Sequence, residues 1–185
     1  TVAAGTNEAR TRTNIFDLQG RITSTVDAKG NITHNTYDAA GRLTSQTDAL
    51  GNTTLYYYDV DGQLIYTINA LGEVLGNTYN VLEQKIASTQ YATRIDSATL
   101  SALKALGGGV ISSTINSTIN NTTNNTLSNT LNNAINSIAN PLLDSTQRYS
   151  YNLDGSLASS SDALGNLTVY QYNAFGEQSA ITLPI

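Results

Sequence analysis

Few side chains in this sequence have the types and spacing that chemistry requires. His34 is the only histidine and cysteine is absent, so a metal site built from these ligands has no second partner. Asp59-Val60-Asp61-Gly62 resembles the start of a calcium loop, but it lacks the alternating acidic spacing and the closing glutamate of an EF-hand. No Ser-His-Asp set, carboxylate pair or phosphate-binding loop stands out. We therefore expect no enzyme and no cofactor, with Ca²⁺ as the one alternative left open.

Tyrosine is the other residue type that could bind a ligand. Tyr37 and the run Tyr56-Tyr57-Tyr58 would place several aromatic rings on one element. Two interpretations stay open. The rings could form a platform on which a ligand such as a sugar stacks, or they could form a ladder that packs from one hairpin to the next.

The elements that carry these tyrosines repeat. An aromatic residue recurs at intervals of 21 positions, interrupted once, at Phe16, Tyr37, Tyr58, Tyr79, and then Tyr151 and Tyr172. A fixed period in this range indicates a repeat architecture, in which each unit is stabilised by its neighbours.

Each unit also contains two turn signals of one form, Asp or Asn followed three residues later by Gly. The side chain of Asp or Asn at the first position accepts hydrogen bonds from the backbone of the turn, and Gly supplies the positive φ that closes it. The turn-forming residues include Asp38, Gly41, Asp48, Gly51, Asp59, Gly62, Asp162 and Gly165.

The segments between these turns are about six residues long and rich in Thr, Ile, Leu, Val and Tyr, which favour strands. The sequence therefore predicts a mainly β fold of repeated antiparallel hairpins with one helical insertion. We divide it into a connecting segment over residues 1–15, hairpins over 16–90, an insertion over 91–148 and hairpins over 149–185.

The motif Tyr37-Asp38-Ala39-Ala40-Gly41-Arg42, followed by Asp48-Ala49-Leu50-Gly51-Asn52, resembles the YD repeat of the RHS family. This resemblance implies a strip of hairpins that spirals into a tube or hollow shell. Relatives include shells of polymorphic toxins, cocoon-forming subunits of insecticidal toxin complexes, teneurin-like proteins and very large secreted proteins. The resemblance also implies carbohydrate binding, which would use the tyrosine platform. The repeat after Tyr79 departs from the pattern, because Glu83 stands where the turn glycine is expected.

The insertion reads as two elements. Asp96 or Ser97 caps a short helix that runs to Leu106 and ends at three glycines. A tetrapeptide pattern of Ile and Leu then fits a helix or a strand over residues 110–139. We favour the helix, because no turn residue interrupts the segment and an unbroken strand of that length is unusual. We expect it to plug the interior of a tube, with packing on the outside of the sheet or on another copy as alternatives.

Composition excludes several partners. Charged residues make up 12% of the chain and the net charge is −5, so no basic stripe for nucleic acid is present. No apolar segment reaches the length of a membrane span.

We therefore expect a secreted or cell-surface structural repeat unit that forms a β-walled tube or fibre. The partners would be neighbouring copies of the same repeat, in a tandem array or a homopolymer. The alternatives are a segment of an RHS shell that encloses a toxin and a carbohydrate-binding adhesin.

Overall fold

The computed structural model describes residues 12–111 and 122–184. These residues form one antiparallel meander with two helices inserted into it. The strands are β1 (Thr13–Phe16), β2 (Ile22–Val26), β3 (Ile32–Tyr37), β4 (Leu43–Thr47), β5 (Thr53–Tyr58), β6 (Leu64–Ile68), β7 (Val74–Tyr79), β8 (Lys85–Gln90), β9 (Gly109–Val110), β10 (Ser145–Tyr151), β11 (Leu157–Ser161), β12 (Leu167–Tyr172) and β13 (Gln178–Thr182). The helices are α1 (Ser97–Leu106) and α2 (Thr122–Ile138).

The sheet is open, and its strands follow chain order from β1 at one edge to β13 at the other. Among the strands of residues 12–111 and 122–184, only β9 leaves this path, because it pairs with β5 in parallel. The repeated-hairpin fold predicted from the sequence is therefore confirmed. Turns alternate between the two long margins of the strip, since each strand reverses the direction of the one before it.

Pairing within a hairpin differs from pairing between hairpins. Within each hairpin the register shifts by one residue just before the repeating aromatic position, as between Thr36 and Tyr37. Between hairpins the ladder is short; β4 and β5 pair only over Ser45–Thr47 and Thr53–Leu55. The far ends of these neighbouring strands therefore diverge. We call each such opening, for example that between Leu43–Thr44 and Tyr56–Tyr58, an inter-hairpin gap.

Residues 91–144 replace one turn on one margin, and they leave β8 and β10 as ordinary antiparallel neighbours. Asp96 caps α1 by accepting hydrogen bonds from Ala98 N and Thr99 N, as one of the two predicted caps. Gly107, at φ 79°, ends the helix. The helix predicted over residues 110–139 is present as α2 over Thr122–Ile138, but its predicted start is wrong, because Val110 belongs to β9, which pairs with β5. Residues 112–121 lie outside the described residues.

Both helices pack against one face of their own sheet. The sheet contributes the buried side chains Leu55, Tyr57, Ile68 and Val74. The insertion covers them with Ile95, Leu100, Leu103, Ile111, Leu127, Leu131, Ala134, Ile135 and Ile138. The alternation of β5, with Leu55 and Tyr57 on one face, produces this core. Burial of these side chains, at about 1.5–3 kcal/mol each, is the main source of stability for the insertion.

Candidate functional site

The turns share a hydrogen-bonded clasp built by their first residue. In the turn that begins at Asp48, Oδ1 accepts hydrogen bonds from Leu50 N at 2.9 Å and Asn52 N at 2.8 Å. The other oxygen, Oδ2, accepts a hydrogen bond from Asn52 Nδ2 at 2.8 Å. The Asn52 side chain, followed by its backbone N–H, lowers the pKa of the Asp48 carboxyl. The side chain therefore holds both ends of the turn.

The clasp uses complementary partners four residues apart. Where the first residue is Asp, the fifth position often supplies a donor, as in Asp17–Arg21 at 2.6 Å. Where the first residue is Asn, its amide donates to an acceptor, as in Asn173 Nδ2 to Glu177 Oε2 at 2.8 Å. The turn signal read from the sequence gave a role to the first and fourth positions of each turn but none to the fifth. The pairing of Asp with a donor, and of Asn with an acceptor, four residues later is the sequence signal for the role of the fifth position.

The predicted turn residues all lie at turn corners. Each predicted glycine donates its N–H to the carbonyl of the first residue, and each has a positive φ between 84° and 88°. Glu83, which lacks this glycine, adopts φ 63° and donates the same hydrogen bond to Asn80 O at 3.0 Å. The turn is therefore kept without the glycine, at a cost of about 1–2 kcal/mol for a left-handed non-glycine residue.

The repeating tyrosines close the inter-hairpin gaps. Each hydroxyl donates to a backbone carbonyl at the start of the strand on the other side of the gap, at 2.8–3.0 Å. The donor and acceptor residues are Tyr37 and Ile22, Tyr58 and Leu43, Tyr79 and Leu64, Tyr151 and Lys85, and Tyr172 and Leu157. We call these hydrogen bonds tyrosine latches. They give these carbonyls a hydrogen-bond donor where the diverging strands no longer form ladder bonds.

Two arginines tie consecutive repeats together. Arg21 binds Asp17 in its own turn and also donates from Nη1 to Asp38 O, in the next repeat, at 3.0 Å. Its guanidinium lies 4.8 Å from the centre of the Tyr37 ring, which adds a cation–π contact. Arg42 likewise binds Asp38 in its own turn, at 2.7 Å, and its guanidinium lies 5.4 Å from the centre of the Tyr58 ring in the next repeat. Turn, latch and neighbouring turn therefore form one connected unit.

The tyrosines proposed as a ligand platform do not share one environment. Tyr57 is 0% exposed and belongs to the core, so its ring has no free face for a sugar. Its hydroxyl has no hydrogen-bond partner in the described residues, and burial raises its pKa. Tyr37 and Tyr58 are half-buried latch residues, and Tyr56 is half-buried on the opposite face from Tyr57. Carbohydrate binding at Tyr37, Tyr56 and Tyr58 stays a prediction.

One gap is filled by the insertion itself. β9 enters the gap between β4 and β5, where Ile111 N donates to Tyr58 O at 2.8 Å. A Cβ on Gly108 would lie 2.1 Å from Thr44 O and 2.5 Å from Tyr56 O. Only glycine can therefore pass between the two strands. In two other repeats the residue equivalent to Tyr56 is an asparagine, Asn35 or Asn77. Its side-chain amide donates a hydrogen bond across the gap to the same carbonyl that accepts the tyrosine latch.

The remaining chemical candidates have structural partners. His34 Nδ1 lies 2.9 Å from Ser24 Oγ in the cross-strand pair. In the loop that resembled a calcium site, Asp59 Oδ1 accepts a hydrogen bond from Gln63 N at 2.8 Å, as in the other turns. Within residues 12–111 and 122–184, no group of three or more His, Cys, Asp and Glu side chains is arranged to hold a metal ion.

Part of the chain matches a known repeat family. The family model for RHS repeats matches residues 16–53 and, in an overlapping second match, residues 37–74. Residues 16–74 therefore contain RHS repeats. The matched RHS repeats contain the clasps at Asp17, Asp38 and Asp48 and the latches of Tyr37 and Tyr58. Repeats outside the match, over β10–β13, have the same clasps and latches.

Solved structures with the same fold come from toxin complexes. The crystal structure of TcdB2-TccC3-TEV matches at a TM-score of 0.58 and 15% identity, over 98% of this chain and 8% of that one. TcdB2-TccC3-Cdc42 matches at 0.59 and 16%, over 97% and 8%. A Tc holotoxin pore from Photorhabdus luminescens with a TccC3 mutation matches at 0.58 and 17%, over 96% and 8%. These likenesses concern the fold. The chain spans less than a tenth of the length of each of these proteins, and no curated protein sequence matches it.

Proposed function

We propose that this chain is a wall segment of a larger extracellular RHS-repeat assembly, a tube or fibre in which β-hairpins follow one another without a break. The observation that carries the proposal is the set of five tyrosine latches in the described part of the chain, one at each junction between its hairpins. A latch has no use in an isolated hairpin, since it acts only between neighbours. The segment therefore resists separation of the strip at every junction, which is the property that a wall requires.

The sheet edges support continuation of the wall. β1 and β13 are exposed along their whole length, and unpaired edges of this kind pair readily with further strands. In β13, Gln178 is equivalent to Leu157 of the preceding repeat, whose carbonyl accepts the latch of Tyr172. A further hairpin of the parent chain, or a neighbouring copy, is the partner that this edge fits. On this proposal the protein is not an enzyme and acts by strand pairing.

The charged residues with known partners stabilise the fold, as expected for a structural protein. The Asp, Glu and Arg side chains that have named partners serve in turn clasps, in links between turns, in the cap of α1 and in contacts of the insertion. In the described residues, no helix is long and apolar enough to span a membrane. Localisation at the cell surface or outside the cell is part of the proposal.

The test is electron microscopy of the native parent polypeptide, together with its intact mass. Long tubes or fibres with a regular axial repeat, built by a chain much longer than 185 residues, are the expected result. Gold-labelled antibody against the insertion should then mark the fibre at that axial repeat. Random labelling, or particles without a wall of uniform thickness, would overturn the proposal.

A second candidate function is a closed shell that encloses a toxin payload. The observation in its favour is the fold likeness to TcdB2-TccC3-TEV and its relatives. The same micrographs separate the two, because a shell gives compact hollow particles of fixed size. Mass determination of those particles should then exceed the mass of the wall by that of an enclosed polypeptide.

A further inference from the structure

Tyr66 and Tyr91 meet above a glycine on the face that the insertion covers. Tyr66 lies on β6, directly opposite Gly76 on β7. Tyr91 follows β8 at the start of the insertion, and both rings are half-buried. A Cβ on Gly76 would lie 3.1 Å from Tyr66 Cε1 and 3.1 Å from Tyr91 Cε2. The absence of a side chain at Gly76 therefore creates the space in which the two rings approach each other.

The carbons that approach are the reactive ones. Cε1 and Cε2 are the ring carbons beside the phenolic oxygen, where a tyrosyl radical carries much of its unpaired spin. Since each lies 3.1 Å from the same point, their separation is at most twice that distance, 6.2 Å. Formation of a bond between these carbons requires the two side chains to rotate towards each other.

The backbone on either side of Tyr91 is fixed. Tyr91 N donates to Val74 O at 3.1 Å, and Ala92 N donates to Asp144 Oδ1 at 2.9 Å. Burial, followed by the nearby Tyr66 hydroxyl, raises the pKa of Tyr91. The phenol is therefore neutral at physiological pH, and its ring is held next to Tyr66 by backbone contacts on both sides.

We propose that Tyr66 and Tyr91 form a site of oxidative dityrosine cross-linking, which joins the hairpin strip covalently to the insertion. The oxidant is of the peroxide class. Each tyrosine loses one electron and its phenolic proton, and the two radicals form a carbon–carbon bond between Cε1 of one ring and Cε2 of the other. The two hydrogens on the bonded carbons move to the oxygens and restore both phenols. The O–O bond of the peroxide takes up the two electrons, and water takes up the two protons.

Composition directs oxidation towards tyrosine. The chain contains no Cys, Met or Trp but has 11 Tyr, so the side chains that usually consume oxidants first are absent. Five of the tyrosines hold latches, in which the hydroxyl is bound to a carbonyl across a gap. Tyr57, which faces Tyr66 across the strand pair, is fully buried. Tyr66 and Tyr91 are half-buried, and their reactive carbons lie near one another.

The experiment treats the full chain, at a concentration low enough to suppress coupling between molecules, with persulfate and a small photosensitiser. Persulfate is a peroxide and is reduced to two sulfates. We expect a monomer that has lost two hydrogen atoms, shows dityrosine fluorescence, and yields a cross-linked peptide that fragmentation assigns to Tyr66 and Tyr91. The cross-linked monomer should also unfold at a higher temperature than the untreated chain.

Variants distinguish this site from general tyrosine oxidation. Tyr66→Phe and Tyr91→Phe keep the ring but should abolish the cross-link, whereas Tyr149→Phe, at a half-buried tyrosine elsewhere, should retain it. Gly76→Ala should lower the yield, because its Cβ would enter the space between the rings. Circular dichroism checks that each variant folds. Coupling that maps to other tyrosines, including Tyr57 with Tyr66, or that persists in Tyr91→Phe, would overturn the proposal, as would the absence of intramolecular coupling.

Discussion

Substitution of Gly108 by alanine tests how the insertion is attached to the sheet. A Cβ at this position would lie 2.1 Å and 2.5 Å from two backbone carbonyl oxygens, Thr44 O and Tyr56 O. Backbone atoms of two paired strands cannot move aside as a flexible side chain can. We therefore expect Gly108→Ala to force β9 out of the gap between β4 and β5.

The structure sets the size of the effect. Withdrawal of β9 breaks the hydrogen bond from Ile111 N to Tyr58 O, which contributes about 0.5–1.5 kcal/mol. It also exposes Ile111, now 7% exposed, whose burial contributes about 1.5–3 kcal/mol. Gly108 has no positive φ, so alanine carries no conformational penalty of its own there. The expected loss in the free energy of unfolding is about 2–4.5 kcal/mol.

Chemical denaturation of the full chain measures this loss, and hydrogen exchange at the Ile111 amide shows whether β9 has left the gap. Gly165→Ala is the matched control. At Gly165, φ is +86° and no atom lies within 4 Å of an added Cβ, so only the conformational cost of about 1–2 kcal/mol applies. Ile111 should stay protected in this control. If Gly108→Ala destabilises no more than the control and Ile111 remains protected, the steric argument is wrong.

Other predictions concern the clasps and latches. Tyr58→Phe removes one latch and leaves a carbonyl unpaired, so the free energy of unfolding should fall by about 1–3 kcal/mol in denaturant titration; an unchanged midpoint would contradict the latch. Asn173→Asp places a carboxylate against Glu177, so hydrogen exchange in that hairpin should accelerate at low salt and recover at high salt, whereas Asn80→Asp, whose partner is a glutamine, should not accelerate it. The lowered pKa of Asp48 contributes stability that is present above the ordinary aspartate pKa and lost as pH falls through the folded value, so thermal stability should fall below about pH 4. Asp48→Asn should reduce that acid sensitivity, and an unchanged profile would refute the assignment.

The sequence predicts the hairpins well because their signals are local. An Asx residue, a glycine three residues later and a run of β-formers specify each turn and strand without information from distant residues. The first helix is predictable for the same reason, since Asp96 caps its start and Gly107 ends it. Even the irregular turn at Glu83 keeps its geometry, because the clasp of Asn80 with Gln84 and the strands on both sides hold it.

The contacts between repeats are less visible in the sequence. The tyrosine period predicts that the residue matters in every unit, but aromatic stacking and hydroxyl bonding give the same period. Whether the tyrosine stacks or donates a hydrogen bond depends on where the neighbouring strands diverge. The register shift beside Tyr37 and its equivalents determines that point. The role of Gly108 is hidden for a similar reason. Three consecutive glycines indicate a helix end, whereas the need for close approach arises only when β9 meets strands more than fifty residues earlier in the chain.

The replacement of one turn by residues 91–144 has a consequence for the order in which the protein folds. Nearly every strand pair joins segments separated by a short turn, such as residues 69–73 between β6 and β7. The pairing of β8 with β10 must instead wait for a far longer loop, and closing it as an unstructured chain costs about 2 kcal/mol more. Collapse of α1 and α2 onto the sheet shortens the distance that this loop must span. The amino-terminal hairpins can therefore form as they leave the ribosome. The carboxy-terminal hairpins pair with them only after α1 and α2 have packed against the sheet.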